Sequence, residues 1–150
     1  DIVDRLLDLR MYYDEYRPIL LKVSPDLSHE QLDEIIDYCL RSGIDGIVAG
    51  NTTRSRDGIT SISKEKIEEI GNGGMSGAPV HKKNLELVRY VHTKSEGKLP
   101  IIGVGGIMSP EQAKDMLNAG ASLVEIYSGF IYEGPSLVKR ILKYLEQTVK

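Results

Sequence analysis

The chain repeats one pattern four times: a short apolar run, then a loop rich in glycine or polar residues, then an amphipathic helical segment. The apolar runs are bounded by proline, glycine or polar turn residues, which is typical of buried parallel strands. These predicted strands lie at residues 19–24, 46–50, 101–106 and 123–128. Because strands and helices alternate throughout, the sequence predicts an α/β fold, a parallel sheet with right-handed crossovers.

Residues that start and stop helices support the same division of the chain. Ser28 and Gln31 form a capping-box pattern, and Ser109 stands before a proline that suits a first helical position. Gly43 follows the last apolar position of its helix, where a left-handed cap is common. The predicted helices lie at residues 2–13, 28–43, 84–94 and 109–120, with a last one from residue 135.

The element order fits either an open doubly wound sheet or half of an eight-stranded barrel. The chain has 150 residues. Four strand–helix units fill most of that length, whereas a complete barrel needs about 250 residues. The first residue is not Met, and it already lies within a helical pattern. We therefore expect the chain to be part of a longer protein.

Composition excludes several classes of protein. The net charge of −3 argues against nucleic-acid binding as a main task. The apolar runs are too short for a membrane-spanning helix. The single cysteine, Cys39, excludes an internal disulfide and is expected in the core. The three histidines lack metal-ligand spacing, so no metal site is predicted; they are His29, His81 and His92.

Polar side chains mark the first two strands. Lys22 interrupts an apolar strand, and a buried ammonium group needs an anionic or polar partner. That partner is either a ligand or a structural ion pair. Asn51 and Thr52 directly follow the second strand, where they suit recognition of a planar ring with amide and carboxylate groups. An Asx or Ser/Thr turn is the alternative interpretation.

Glycine makes up 15 of the 150 residues, and much of it lies at predicted loops. The connection over residues 53–80 is long and contains a glycine-rich stretch at 71–77, so it is either a ligand loop or a lid without ligand contact. The third strand ends at Gly105 and Gly106, and the fourth ends at Tyr127 and Ser128. Backbone N–H groups at these two ends predict an anion site. Tight strand–helix packing is the alternative.

These strand ends and the segments around them resemble the dihydroorotate dehydrogenases, in particular the membrane-associated class that reduces quinones. The resemblance spans residues 17–145 and is carried by LKVSPDL at 21–27, GIDGI at 43–47, NTT at 51–53, GGMSG at 73–77, LPIIGVGGI at 99–107, AGASLV at 119–124 and IYSGFIYEGP at 126–135. It corresponds to strands five to eight of a TIM (βα)8 barrel that binds FMN. It therefore implies that residues 1–150 form the C-terminal half of that barrel domain.

The resemblance also implies a role for each strand end. Lys22 would contact the flavin ring, and Asn51 and Thr52 would hydrogen-bond orotate. The FMN phosphate and ribityl chain would be held largely by backbone N–H groups, at Gly77, Gly106, Tyr127 and Ser128. Gly50 stands where the family usually has Thr or Ser, so only its backbone would act on FMN.

The family's catalytic base is a serine in the other half of the barrel. The resemblance therefore implies that this chain has no catalytic residue of its own and is inactive alone. The expected partners are dihydroorotate or orotate and a quinone, in de novo pyrimidine (UMP) biosynthesis. A bacterial protein would lie peripherally on the cytoplasmic side of the inner membrane. The exposed half-barrel edge would favour a homo-oligomer. The alternatives are a cytosolic dihydroorotate dehydrogenase, another FMN barrel oxidoreductase and a non-catalytic phosphate-binding half-barrel.

Overall fold

The structure is a computed structural model that describes residues 2–57, 59 and 62–148. Helices and strands alternate along this part of the chain. The helices are α1 (Ile2–Arg10), α2 (His29–Ser42), α3 (Lys64–Ile70), α4 (His81–Lys94), α5 (Pro110–Asn118), α6 (Ser128–Glu133) and α7 (Ser136–Thr148), with a 3-10 helix at Ala78–Val80. The strands are β1 (Leu20–Val23), β2 (Gly46–Ala49), β3 (Ile101–Val104) and β4 (Leu123–Glu125).

The four strands form one parallel sheet in the order β1-β2-β3-β4. A single row of paired residues crosses the sheet, from Lys22 through Val48 and Ile102 to Leu123. A doubly wound sheet reverses its strand order at a switch point, whereas a barrel keeps sequential order. The α/β prediction is therefore confirmed, and the strand order favours a segment of a barrel over an open doubly wound sheet.

The helices cover one face of the sheet. Ile47, Ala49 and Ile101 are fully buried on that face. The helical side chains packed around them are buried as well, and they include Ile36, Val88, Val91, Met116 and Leu137. Burying each such aliphatic side chain stabilises the fold by about 1.5–3 kcal/mol. Cys39 belongs to this cluster, as predicted, and burial raises the pKa of its thiol.

The opposite face of the sheet is open. Leu20 of β1 is 38% exposed and Leu123 of β4 is 62% exposed, and Lys22, two residues after Leu20 in β1, is exposed as well. The expectation that Lys22 is buried is therefore wrong for the described chain. Its strand is apolar because alternate residues pack against the helices, while Lys22 lies on the uncovered face. This open face corresponds to the interior of a barrel.

Local capping explains where two helices begin. The Ser28 backbone N–H donates to Gln31 Oε1 at 3.0 Å, and the Gln31 N–H donates back to Ser28 Oγ at 3.3 Å. The Gln112 N–H donates to Ser109 Oγ at 3.4 Å. Gly43 follows α2 with φ of 82°. Ser28, Gln31, Ser109 and Gly43 therefore act as the sequence predicts.

Other boundaries differ from the prediction. α1 ends at Arg10 instead of residue 13, and β4 ends at Glu125 instead of residue 128. α4 starts at His81 because the 3-10 helix leads directly into it. The connection over residues 53–80 contains α3, whose first turn is capped by Ser63. No helix of the described residues is both long and apolar enough to cross a membrane.

Candidate functional site

The carboxyl ends of all four strands surround one pocket. The eight residues singled out from the sequence all line it: Lys22, Gly50, Asn51, Thr52, Gly77, Gly106, Tyr127 and Ser128. Five further residues complete the lining: Ser76, Val80, Val104, Gly105 and Glu125. Parallel strands place all their carboxyl ends at one edge of the sheet, which is why residues more than 100 positions apart meet there.

Lys22 supplies the cation of the pocket. Its side chain is exposed on the open face of β1, and it has no hydrogen-bond or ion-pair partner among the described residues. The structural ion pair considered from the sequence is therefore not present in the described chain. An unpaired ammonium group at a strand end is suited to a developing negative charge on a ligand.

Asn51 and Thr52 face the pocket from the loop after β2. Asn51 Oδ1 accepts a hydrogen bond from the Thr52 backbone N–H at 2.9 Å. An Asx turn accepts from the N–H two residues on, so this contact between adjacent residues is not the Asx turn considered from the sequence. The Asn51 side-chain NH₂ has no partner within the described chain, so both its N–H donors remain available to a ligand.

The glycine-rich stretch is tied to this same loop. Thr53 and Met75 form an antiparallel bridge, with N···O distances of 3.1 and 2.7 Å. Arg56 donates to the carbonyl oxygens of Gly71 and Gly73. A Cβ on Gly74 would lie 2.1 Å from Thr52 Oγ1, so the stretch approaches Thr52 as closely as glycine permits. The connection is therefore held against the pocket.

Backbone groups form the opposite wall of the pocket. Gly77 and Gly106 have φ of 79° and 70°, and a Cβ on Gly106 would lie 2.7 Å from the Gly77 carbonyl oxygen. Ser128 Oγ lies 3.4 Å from Ser76 Oγ. The 3-10 helix and α6 both begin here, and the first N–H groups of a helix have no partner within it. Together these groups suit an anion such as a phosphate.

A charged network lies behind the Asn51–Thr52 loop. Asp26, in the loop after β1, accepts hydrogen bonds from Lys83 Nζ, from Thr53 Oγ1 at 2.5 Å and from the Arg54 N–H at 2.7 Å. Partial burial of the Asp26 carboxyl raises its pKa. The three donated hydrogen bonds outweigh burial and lower that pKa to about 2. The network joins the loops after β1 and β2 to α4.

Sequence reasoning missed two groups at this edge. Glu125 ends β4 and brings a carboxylate into the pocket. It interrupts an apolar strand as Lys22 does, so the same signal would have found it. Asn84 is fully buried in the first turn of α4, and its Nδ2 donates to the Asn51 carbonyl oxygen at 3.1 Å. An asparagine near a helix start gives no such signal by itself.

The histidines lie elsewhere. His29 stacks on Tyr90 with ring centroids 4.3 Å apart. The His92 ring packs beside Gly97 and Gly120. His81 starts α4 behind Gly106, where its Nδ1 is buried. None of the three lines the pocket.

Comparison with known proteins identifies the family. The family model described as "Dihydroorotate dehydrogenase" matches residues 5–149. The chain belongs to the dihydroorotate dehydrogenase family. The resemblance found from the sequence motifs is therefore confirmed, and it covers nearly the whole chain.

Similar members of the dihydroorotate dehydrogenase family carry the quinone designation. The dihydroorotate dehydrogenase (quinone) of Proteus mirabilis is 41% identical over 144 residues, which cover 96% of this chain and 42% of that protein. The corresponding protein of Christiangramia forsetii is 50% identical over 125 residues, which cover 83% of this chain and 35% of that protein. The chain thus spans about two fifths of the length of these relatives.

Solved structures of dihydroorotate dehydrogenase (DHODH) share the fold. The DHODH of Eimeria tenella in complex with ferulenol has a TM-score of 0.79 and 32% identity, covering 89% of this chain and 35% of that chain. Its ligand-free form has a TM-score of 0.77 and 34% identity, covering 87% of this chain and 37% of that chain. These neighbours confirm the prediction of part of a TIM barrel.

Proposed function

We propose that this chain belongs to an FMN-dependent dihydroorotate dehydrogenase that oxidises dihydroorotate to orotate with a quinone acceptor, in de novo pyrimidine biosynthesis. One observation carries the proposal: the eight residues singled out from strand-end chemistry and from the family resemblance line a single pocket at the strand ends. The quinone designation of the relatives supports the choice of acceptor.

The residues of the pocket fit FMN. They combine an unpaired cation, amide and hydroxyl groups for a planar substrate, and backbone N–H groups at helix starts, with the Glu125 carboxylate at the end of β4 as the one acidic group of the lining. FMN, when bound, supplies the two-electron redox chemistry by accepting a hydride from dihydroorotate. Lys22 would stabilise the negative charge of the reduced ring. Asn51 and Thr52 would orient the substrate ring with their side-chain N–H and O–H groups.

The other wall of the pocket would hold the phosphate end of FMN. Gly77 and Gly106 place backbone close to the bound group, and Ser128 adds a hydroxyl. Tyr127 directly precedes α6 and would contribute through its backbone N–H. Gly50 would likewise act only through its backbone.

We further propose that residues 1–150 are the C-terminal half of an FMN-binding (βα)8 barrel, with the N-terminal half supplied by the rest of the protein. The open face of the sheet and the coverage of 35–42% of the relatives support this. The pocket encloses about 150 Å³. That is below the 300–1,000 Å³ or so of complete ligand sites. The serine base and the contacts with the membrane surface, on its cytoplasmic side in a bacterium, would lie in the other half.

The experiment is to purify the full-length protein and the chain of residues 1–150 side by side. The full-length protein is expected to show a flavin spectrum and to oxidise dihydroorotate faster with ubiquinone than with fumarate or NAD. Residues 1–150 alone are expected to give no dihydroorotate–quinone turnover, because the base is absent. A colourless, inactive full-length protein would overturn the proposed function, and turnover by residues 1–150 would overturn the division into halves.

A further inference from the structure

Asn84 is a polar side chain with no exposed surface, placed between the ends of β2 and β3. Its Nδ2 donates to the Asn51 carbonyl oxygen at 3.1 Å. Its Oδ1 is buried without a partner among the described residues. Burying a polar amide group lowers stability unless the amide is hydrogen-bonded. The buried, unpaired Oδ1 of Asn84 therefore requires a structural or functional explanation.

The Asn84 amide occupies space that neighbouring side chains would otherwise take. A Cβ on Gly50 would lie 2.0 Å from Asn84 Oδ1, and one on Gly105 would lie 2.1 Å from Asn84 Nδ2. Gly105 has φ of 117°, so its backbone alone favours glycine. Gly50 is not among the glycines with positive φ. Leu87 Cδ2 would lie 3.0 Å from the same Cβ, so the Asn84 amide is the neighbour that most excludes a side chain at Gly50.

We infer that Asn84 and Gly50 are a matched pair, in which Asn84 is a positioning residue for the ligand-facing loop after β2. Asn84 holds the Asn51 carbonyl group from behind, and this fixes the backbone from which the Asn51 and Thr52 side chains enter the pocket. Gly50 leaves the room that the Asn84 amide needs. That the ligand of this loop is the dihydroorotate ring rests on the proposed function.

A double-mutant cycle in the full-length protein tests the pair. The variants are Gly50→Ala, Asn84→Ala and the double variant, with Asn118→Ala as a control at an exposed asparagine of α5. Thermal unfolding without ligand is the first readout. Gly50→Ala is expected to lower the unfolding midpoint strongly in the wild-type background and much less beside Asn84→Ala, because the clash with Oδ1 is then gone. Equal effects in both backgrounds would overturn the pairing.

The second readout is dihydroorotate kinetics. A packing defect alone would not raise KM while it leaves kcat nearly unchanged. Loss of the Asn84–Asn51 hydrogen bond is expected to raise KM by up to about tenfold. The kcat is expected to change by less, and orotate affinity to fall in parallel with the rise in KM. The double variant is expected to recover stability but to keep the raised KM. Unchanged KM and orotate affinity in a folded Asn84→Ala protein would overturn the positioning role.

The double-mutant cycle still gives a result if Asn84→Ala fails to fold or if the wild-type protein is inactive. If Asn84→Ala does not fold, Asn84→Ser shortens the side chain while it keeps a hydroxyl donor, and it replaces Asn84→Ala in the same cycle. If the wild-type protein neither binds FMN nor oxidises dihydroorotate, the proposed function fails. The coupling measured in thermal unfolding then still decides whether Asn84 and Gly50 are paired.

Discussion

The two walls of the pocket are built by different means. The wall at β1 and β2 presents the side chains of Lys22, Asn51 and Thr52. The loop that carries Asn51 and Thr52 is fixed at its next residues, where Asp26 accepts from Thr53 Oγ1 and the Arg54 N–H. The wall at β3 and β4 presents mainly backbone, at glycines whose φ values or close contacts exclude a side chain. The first wall should therefore respond to loss of a functional group and to pH. The second should respond to the addition of a methyl group, which in the first wall is expected only at Gly50, beside the Asn84 amide.

The largest effect is expected in the backbone wall. In Gly106→Ala, the new Cβ would lie 2.7 Å from both the Gly77 carbonyl oxygen and the His81 backbone N, at φ of 70°. Strain and overpacking together should cost about 3 kcal/mol of unfolding free energy and abolish flavin binding. Chemical denaturation and the flavin spectrum of the full-length protein measure the two effects.

Gly134→Ala is the matched control for that variant. Gly134 has φ of 66°, and apart from its chain neighbours no group of the described residues lies within 4 Å of the position that its new methyl group would take. Only the backbone cost of about 1 kcal/mol therefore applies. If Gly106→Ala and Gly134→Ala lost the same unfolding free energy and both retained flavin, the close contacts of Gly106 would not be what makes the backbone wall sensitive to a methyl group.

The next effect is expected in the side-chain wall. Asp26→Asn removes the charge that pairs with Lys83 and weakens the acceptor for the Arg54 N–H. The expected loss of unfolding free energy is about 1–2 kcal/mol, together with a raised KM for dihydroorotate. Because the pair is partly exposed, Asp26→Asn and Lys83→Met should show a coupling below about 1 kcal/mol in a double-mutant cycle.

Asp33→Asn is the control, because Asp33 pairs with Lys94 and Tyr90 on the outer surface of α2 and α4. It should leave KM unchanged. A raised KM in Asp33→Asn, or an unchanged KM in Asp26→Asn, would contradict the proposal that Asp26 holds the loop after β2 in place for the substrate.

A smaller effect is expected in the pH dependence of stability. The pKa of Asp26 is lowered from 3.8 to about 2 in the folded chain. A lowered folded pKa contributes stability above the unfolded pKa, and that contribution is lost as pH falls from about 4 to about 2. After allowance for solvent screening it is about 1 kcal/mol.

Denaturation of wild-type and Asp26→Asn proteins from pH 6 to pH 2 measures this contribution. The difference in unfolding free energy between them should be constant above about pH 4 and should narrow below it. A constant difference down to about pH 2 would mean that the Asp26 carboxyl is not held in its charged form.

Much of the fold follows from local signals. Ser28 and Ser109 cap their helices as predicted, and the strand positions agree to within a few residues, because caps and short apolar runs depend on nearby sequence. The meeting of seven of the eight pocket residues follows from one rule, that parallel strands share a carboxyl edge, whereas Gly77 reaches the pocket at the end of the long connection after β2. Which roles these residues have remains a prediction.

The hydrogen bonds that hold the loop after β2 in place join distant parts of the chain. Asp26 and Lys83 are 57 positions apart, and Asn84 meets Asn51 across 33 positions. Both contacts arise from how the first turn of α4 packs against the strand ends, and a single sequence does not specify that packing. Arg56, which holds the glycine-rich stretch, lies beyond local prediction for the same reason.

Binding of FMN at the strand-end pocket, with Lys22 beside the flavin ring, is the proposal on which the others depend. The most direct measurement is the reduction potential of bound flavin in the full-length protein, for wild type, Lys22→Met and Lys139→Met, the last a control at an exposed lysine of α7. Lys22→Met alone is expected to lower the potential, because reduced flavin loses a stabilising cation. An unchanged potential in Lys22→Met, or an equal fall in Lys139→Met, would contradict that proposal.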